Sequence, residues 1–512
     1  MPFDAEALWG LLPEFCLGAA AVIAMVGGVF SRNVTVWYGV CTAGAVVGLI
    51  SLVVGETPPA GPSALAWDGL THVTRVSALI LVMLFLLAAW RGLLTTARGE
   101  SMGLLTLVFV GLMLVGVANN LLLHFLCLEL ISIPTYVLLF LGRRDTKSAE
   151  ATTKYFFLSL LSSGMFLYGL ALLYGVAGSL DNQVIAARLG AGGEASLSAI
   201  FLPISVVFIF AGLGFKIAAV PFHFYAPDVY EATTSLNAGL LAVVPKMAGV
   251  LILVRVTSAL AMAQTELIWQ IALVLAVLTM TLGNVCALRQ DNPRRLMAYS
   301  SIAHAGYILI GIAVGCAESS VGARLGTSGF SAAYFYVVLY AVASLGLFAT
   351  LVHLEQSGEP VERLEQLAGM SQRRPWLSAV MAVCLFSLMG IPPLAGFWGK
   401  LILFTGALQT AQAAGLETNS GRWFLVLAVA GALNAAVAAA YYLRIAGIVY
   451  FGNERDKAAK AKRGPAGGAA LICAVFVVVL GVFPGRLLQR CQDLSPPLNA
   501  RDSIASVTVS PR

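Results

Sequence analysis

Across 512 residues, 59% of the side chains are apolar and only 11% are charged, with a mean hydropathy of +0.87. An average soluble domain is about 25% charged, so the composition excludes a water-soluble globule and describes an integral membrane protein. The net charge of +6 raises the question of an anionic partner, which the distribution of the positive residues answers.

Apolar runs near 20 residues, the length that crosses about 30 Å of hydrocarbon as helix, recur from end to end. The sequence predicts fourteen spans, at 8–29, 36–54, 73–90, 102–118, 121–141, 152–175, 200–225, 233–260, 266–288, 294–315, 328–354, 375–408, 421–450 and 468–489. No long stretch alternates apolar and polar residues, which argues against a β-barrel. The first span is preceded by Asp4 and Glu6 and by no Lys or Arg; a signal peptide needs a basic start, so this span reads as retained. The odd-numbered connections hold seventeen Lys and Arg, from Arg32 to the basic stretch 455–463, against five (Arg75, Arg188, Arg255, Arg324 and Arg422) at the even-numbered ones. Positive residues gather on the cytoplasmic side, so both termini are expected outside. The charge is thereby assigned to topology rather than to a nucleic-acid patch. The tail after about 490 is polar, and the eight scattered cysteines form no metal-binding pattern.

Four charged residues interrupt the apolar runs, each close to a proline: Glu129 before Pro134, Lys216 before Pro221, Lys246 after Pro245, and Lys400 after Pro392 and Pro393. A charge near mid-membrane costs at least about 2.5–3.5 kcal/mol and marks a site of function. Proline removes one helical donor and displaces the carbonyl four residues earlier; such breaks survive in a membrane only where protein or water satisfies the freed groups. The freed carbonyls are expected at Leu130, Ile217, Leu388 and Met389. The breaks at Pro221 and Pro392–Pro393 fall in long spans, one in each half, the pattern of an inverted-repeat transporter.

Glu129 and Lys216, of opposite sign, are expected to form a buried pair. Burial disfavours a charged lysine and a nearby carboxylate favours it, so weakening the pair should favour proton release. Lys246 and Lys400 have no acid in their own spans; the alternative for them is a side chain reaching for the interface. His304, between Ser301 and Tyr307 in AYSSIAHAGY, is either a proton relay or a satisfied core histidine. His223 belongs to the Pro221 bend or to a half-channel, and His124 to the interface. Asp228 and Glu231 either cap the next helix or take up protons. Arg444 and Lys154 are expected to reach the interface.

Three blocks now carry a resemblance: FKIAAVPFHFYAPDVYEATTSLNAGLLAVVPKMAG (215–249), NPRRLMAYSSIAHAGYILIG (292–311) and SLMGIPPLAGFWGKLILF (387–404). In content and order they resemble the antiporter-like membrane subunits of complex I, the proton-pumping NADH:quinone oxidoreductase. The match covers at least residues 120–410. The SSIAHAGY block, a lysine in the second broken helix and the lack of a long C-terminal extension make the chain most similar to the subunit N type. Ala232-Thr233 stands where the family commonly has Ala-Pro, a departure expected only to alter a helix start.

The resemblance implies an all-α polytopic fold with two inverted five-helix repeats, each holding a proline-broken helix. The organisation would be three N-terminal helices in 1–100, repeats in 101–260 and 264–452, a last helix in 466–490 and a polar tail in 491–512. It implies a proton path along Glu129, Lys216, Lys246, His304 and Lys400, with Pro134, Pro221, His223, Pro245, Pro392 and Pro393 in support. It further implies no cofactor in this chain, since NADH, FMN, iron–sulfur clusters and quinone would belong to the rest of the complex. The expected partners are other complex I membrane subunits, including homologous antiporter-like ones, and lipids, in a bacterial inner membrane. Two alternatives remain: a subunit of a multi-subunit sodium/proton antiporter, which shares the broken-helix motifs, and a passive scaffold whose buried charges only fix helix packing.

Overall fold

The computed structural model describes residues 9–55, 65–90, 97–143, 145–190, 195–321, 327–453 and 464–492. Asp4, Glu6, Arg91, Arg144, Arg324, the basic stretch 455–463 and the tail from 493 lie outside the described residues.

Among the described residues the secondary structure is helical, and the helices follow the predicted spans closely. The first five are α1 (Leu12–Phe30), α2 (Val34–Val54), α3 (Gly69–Ala89), α4 (Arg98–Val117) and α5 (Leu121–Gly142). They are followed by α6 (Thr146–Ala177), the short α7 (Asn182–Gly190), α8 (Ala195–Ile217) and α9 (Tyr225–Ala232). The chain leaves helical geometry at Gln264, which separates α10 (Ser235–Ala261) from α11 (Gln264–Ala287). Then come α12 (Pro293–Val321), α13 (Gly329–Gln356), α14 (Pro375–Met389), α15 (Ala395–Ala414), α16 (Asn419–Phe451), α17 (Pro465–Val482) and α18 (Gly485–Gln492). Among the described residues thirteen helices are long and apolar enough to cross a membrane; the remaining predicted span, 375–408, is divided between α14 and α15. Many begin on a polar cap whose side chain accepts a backbone N–H: Asn33, Asp68, Asn120, Asp145, Thr234 and Thr418. Thr234 caps α10, its Oγ1 accepting the Asn237 N–H at 3.3 Å.

Helices α10, α12 and α13 form the buried centre, while α2 and α16 turn most of their surface outward. The N-terminal helices are fastened by ionic contacts. Arg75 of α3 donates through Nε and Nη2 to Glu14 of α1 at 2.7 and 2.6 Å. Arg255 of α10 reaches Asp68, at the start of α3, at 2.9 Å. Burial raises the Asp68 carboxyl, but the Arg255 guanidinium and the Thr71 hydrogen bonds outweigh it and hold it below the usual carboxylate range. A carboxyl held low contributes stability above its unfolded value of about 4 and loses it only as pH falls through the folded value, so this contact is intact at neutral pH.

The prolines divide into two kinds. Pro134 and Pro245 sit inside α5 and α10, which continue past them, so neither breaks its helix as expected; one missing donor is tolerated where the turns on either side remain bonded. Pro221 and Pro392–Pro393 do break theirs. At the first break Ala218 adopts φ +58°, its N–H bonds Phe215 O at 3.0 Å and that of Ala219 bonds Gly214 O at 2.7 Å. Tyr225 Oη donates to Phe215 O at 3.0 Å and the Val220 N–H to Thr279 Oγ1 at 3.1 Å. The predicted span 200–225 is therefore most of α8 and a seven-residue bend at 218–224, with the half-helix α9 beginning where that span ends. At the second break Gly390 adopts φ +92°, a conformation that favours glycine, and the N–H groups of Gly390 and Ile391 both bond Phe386 O at 3.0 Å.

Gly396 is the tightest point of the second break, since a Cβ there would lie 1.9 Å from Ser387 O. Gly396→Ala should cost about 1–3 kcal/mol by overpacking and lower the melting temperature of the solubilised protein. An unchanged melting curve would show that α15 can shift freely away from α14.

Candidate functional site

The first lysine site joins three helices. Lys216, in the last turn of α8, is 4% exposed, and its Nζ donates to Ser132 Oγ of α5 at 2.8 Å and Ser159 Oγ of α6 at 3.0 Å. Tyr136 Oη donates to the same Ser159 Oγ at 2.6 Å, and Glu129 Oε1 accepts from Ser163 Oγ at 2.5 Å. Residues 129, 132 and 136 lie on one face of α5, and 159 and 163 on one face of α6. The expected direct Glu129–Lys216 ion pair does not form, because serine hydroxyls from α6 satisfy both charged groups.

A second cluster fills the space among α10, α12, α13 and α16. Lys246, 2% exposed, donates to Ser301 through both its Oγ, at 2.6 Å, and its carbonyl, and its Nζ lies 4.7 Å from the Tyr340 ring centre. The Tyr340 ring lies 4.9 Å from that of His304. His304 is held on both sides: Nδ1 pairs with Tyr336 Oη at 2.6 Å and Nε2 with Tyr442 Oη at 2.9 Å. Lys400, 5% exposed, donates to Met389 O at 3.0 Å. This is one of the two carbonyls expected to be freed by Pro392–Pro393. The Lys400 Nζ also lies 4.8 Å from the centre of the Tyr307 ring, whose hydroxyl accepts from Asn284 Nδ2 at 3.2 Å. Tyr307 in turn lies 5.8 Å from His304. Lys246, His304 and Lys400 are thus linked through tyrosines into one buried cluster. The first site adjoins it where Gly249, one turn after Lys246, packs on Lys216 and Ile217. The partners of the three lysines are hydroxyls, carbonyls and aromatic faces rather than carboxylates.

Other expectations divide. His223 is buried in the first bend, its carbonyl accepting the Ala226 N–H at the start of α9. His124, near the start of α5, is wholly buried within the protein. Asp228 and Glu231 do not cap α10, a role taken by Thr234; both bind Arg295, at 3.0 and 2.7 Å. Arg444 binds Asp291 in the connection between α11 and α12, and Lys154 pairs with Glu150 on an exposed face. Sequence reasoning missed Ser132, Ser159, Ser163, Tyr336, Tyr340, Tyr442 and Asn284. The one signal for them was spacing, as in Tyr336 and Tyr340 at i and i+4.

Residues 118–442 match the family model described as NADH:quinone oxidoreductase/Mrp antiporter, TM. The chain belongs to this family. Among relatives of the antiporter-like family, NADH-quinone oxidoreductase subunit N of Rhodospirillum rubrum is 36% identical over 490 residues, spanning 94% of this chain and 95% of the relative. Subunit N of Trichlorobacter lovleyi is 38% identical over 430 residues, spanning 81% of this chain and 82% of the relative. Among solved structures, a chain of respiratory complex I from Thermus thermophilus with bound aureothin superposes with a TM-score of 0.76 at 30% identity, over 94% of this chain and 99% of that one. A chain of the Mrp complex from Dietzia shares the fold, with a TM-score of 0.79 at 20% identity over 98% and 99% of the two chains.

Proposed function

We infer that this chain is the subunit N of a proton-translocating NADH:quinone oxidoreductase and moves protons along Glu129, Lys216, Lys246, His304 and Lys400. The observation that carries the reading is the buried set of lysines bonded to hydroxyls, carbonyls and rings. A lysine ion-paired to a carboxylate is held charged, whereas one bonded to neutral groups can give up and regain its proton. The near full-length likeness to subunits of that name supports placing the chain in such a complex, beside other membrane subunits and lipids in a bacterial inner membrane. The repeats would occupy 101–260 and 264–452, and the arginine-rich ends of the helices would face the cytoplasm, with both termini outside.

In this reading the chain is part of a translocase and holds no redox centre; NADH, FMN, iron–sulfur clusters and quinone act elsewhere in the complex. Energy arrives as a push on Glu129 that changes the field at Lys216 across the intervening serines. Lys216 then passes its proton toward Lys246, and the Ser301, Tyr340 and His304 contacts lead on to Lys400. Carrying one charge against about 170 mV costs roughly 4 kcal/mol, and a change of three units in proton affinity supplies about the same.

Glu129→Gln keeps the shape and a hydrogen-bond acceptor for Ser163 but removes the charge. It should lower pumping by the intact complex while leaving its thermal stability close to that of the parent. Unchanged pumping in assembled complex would sink the role of Glu129.

A further inference from the structure

The arginine-rich end of the molecule holds an ionic knot that the proton path does not use. Arg295, in the first turn of α12, places one nitrogen, Nη1, between Asp228 Oδ1 at 3.0 Å and Glu231 Oε2 at 2.7 Å. Those two carboxylates lie three residues apart on α9, so they share a face of that half-helix. Its neighbour Arg294 is 1% exposed and donates through Nη2 to Glu231 O, and through Nη1 to Glu355 Oε1 of α13, both at 3.2 Å. Glu355 also accepts from Ser235 Oγ, the first residue of α10. Two adjacent arginines at the start of one helix therefore grip the end of the first broken helix and the end of the tyrosine helix α13, whose Glu355 also holds Ser235 at the start of the Lys246 helix.

The placement of these contacts links the two proton sites. The half-helix α9 continues from the bend that follows Lys216, so its position sets how that bend lies. On α12, Ser301 and His304 follow Arg295 by six and nine residues, about 9 and 13 Å along a rigid helix. A displacement of α9 is thereby transmitted to the helix bearing Ser301 and His304. A lone, half-exposed ion pair holds little. Here one guanidinium nitrogen bridges two carboxylates, and the adjacent buried arginine fixes the backbone beside them.

We propose that Arg295, with Asp228 and Glu231, is a positioning clamp that makes the Lys216 bend and the Ser301–His304 helix move as one unit. The proposal rests on the proton path described above. Its role is mechanical: neither Arg295 nor its partners touch the migrating proton.

The test uses the whole NADH:quinone oxidoreductase in vesicles, with proton pumping normalised to assembled complex. Arg295→Ala and Asp228→Ala should each lower pumping by about fivefold, a common size for coupling between sites. The double variant should fall no further than Arg295→Ala alone, because that change already removes the Asp228 contact. Arg295→Lys, which keeps a positive charge between the two carboxylates, should retain at least half of the parent pumping. Pumping by Arg295→Ala at the parent rate would overturn the clamp, and so would losses that multiply in the double variant. Should the alanine variants assemble poorly, Arg295→Lys gives the reading alone: pumping per complex above half the parent rate supports the clamp, and pumping below it overturns the clamp. Lys216→Ala in the same vesicles separates the two levels of the argument. If it pumps normally, the functional reading fails; if it is inactive while Arg295→Ala is normal, only the clamp fails.

Discussion

Lys216→Ala in otherwise intact NADH:quinone oxidoreductase should reduce proton pumping roughly a hundredfold, with NADH:quinone turnover falling alongside it. The size follows from what the ammonium does. Without it, a proton must cross a stretch of apolar protein unaided, at a cost of at least about 2.5–3.5 kcal/mol, and each 1.36 kcal/mol is a factor of ten in rate. The loss should be chemical rather than structural. Ser132 Oγ still donates to Leu128 O at 2.7 Å and Ser159 Oγ still accepts from Tyr136, so no partner hydroxyl is orphaned. Assembly and quinone binding should remain at parent levels. If pumping and turnover both stay normal in assembled complex, the buried charges only fix packing and the scaffold reading is the right one.

Lys400→Met should have a comparable effect on pumping with a different signature in stability. Methionine fills a similar volume, but it cannot donate to Met389 O. That carbonyl belongs to the interrupted backbone at the second break, where Lys400 is its hydrogen-bond donor. A buried acceptor left unpaired costs about 1–3 kcal/mol, so the melting temperature should fall as well. The combination distinguishes the two lysines: loss of pumping with unchanged melting at 216, and loss of pumping with reduced melting at 400. Should Lys400→Met pump normally while losing stability, Lys400 is a cap for the broken helix and the path ends before it.

Much of this arrangement was legible in the sequence for reasons that can be named. Span positions follow from hydrophobic run length, which the membrane enforces. The second break was readable down to its atoms, because proline chemistry says which carbonyls it frees, and Met389 is one of them. Pro134 and Pro245 show the limit of the same rule. Whether a helix continues past a proline depends on what surrounds it, and the surroundings are tertiary. The Glu129–Lys216 pair failed for a related reason. Opposite charges on two helices suggest attraction, but sequence does not reveal that Ser159 and Ser163 of a third helix stand where each charge finds a hydroxyl. The tyrosines around His304 were hidden because an aromatic in an apolar helix has the same pattern whether it packs or hydrogen-bonds. The Asp228 and Glu231 contacts depend on an arginine more than sixty residues away and had no local signal.

His304 sits with a tyrosine hydroxyl on each ring nitrogen, and this has a consequence for timing. A neutral imidazole holds its single hydrogen on one nitrogen and accepts on the other. If it receives a proton on the accepting side and releases the original from the far side, the hydrogen has changed sides and both tyrosines must reverse their hydroxyls. Rotating the ring back is obstructed, since Tyr340, Tyr307 and Tyr336 stack or abut its faces and edges. On the proposed path this station would therefore keep a record of the last passage. A second proton in the same direction would wait for the tautomer to be reset, and His304 would act as an escapement that releases charges singly and in step with whatever restores it.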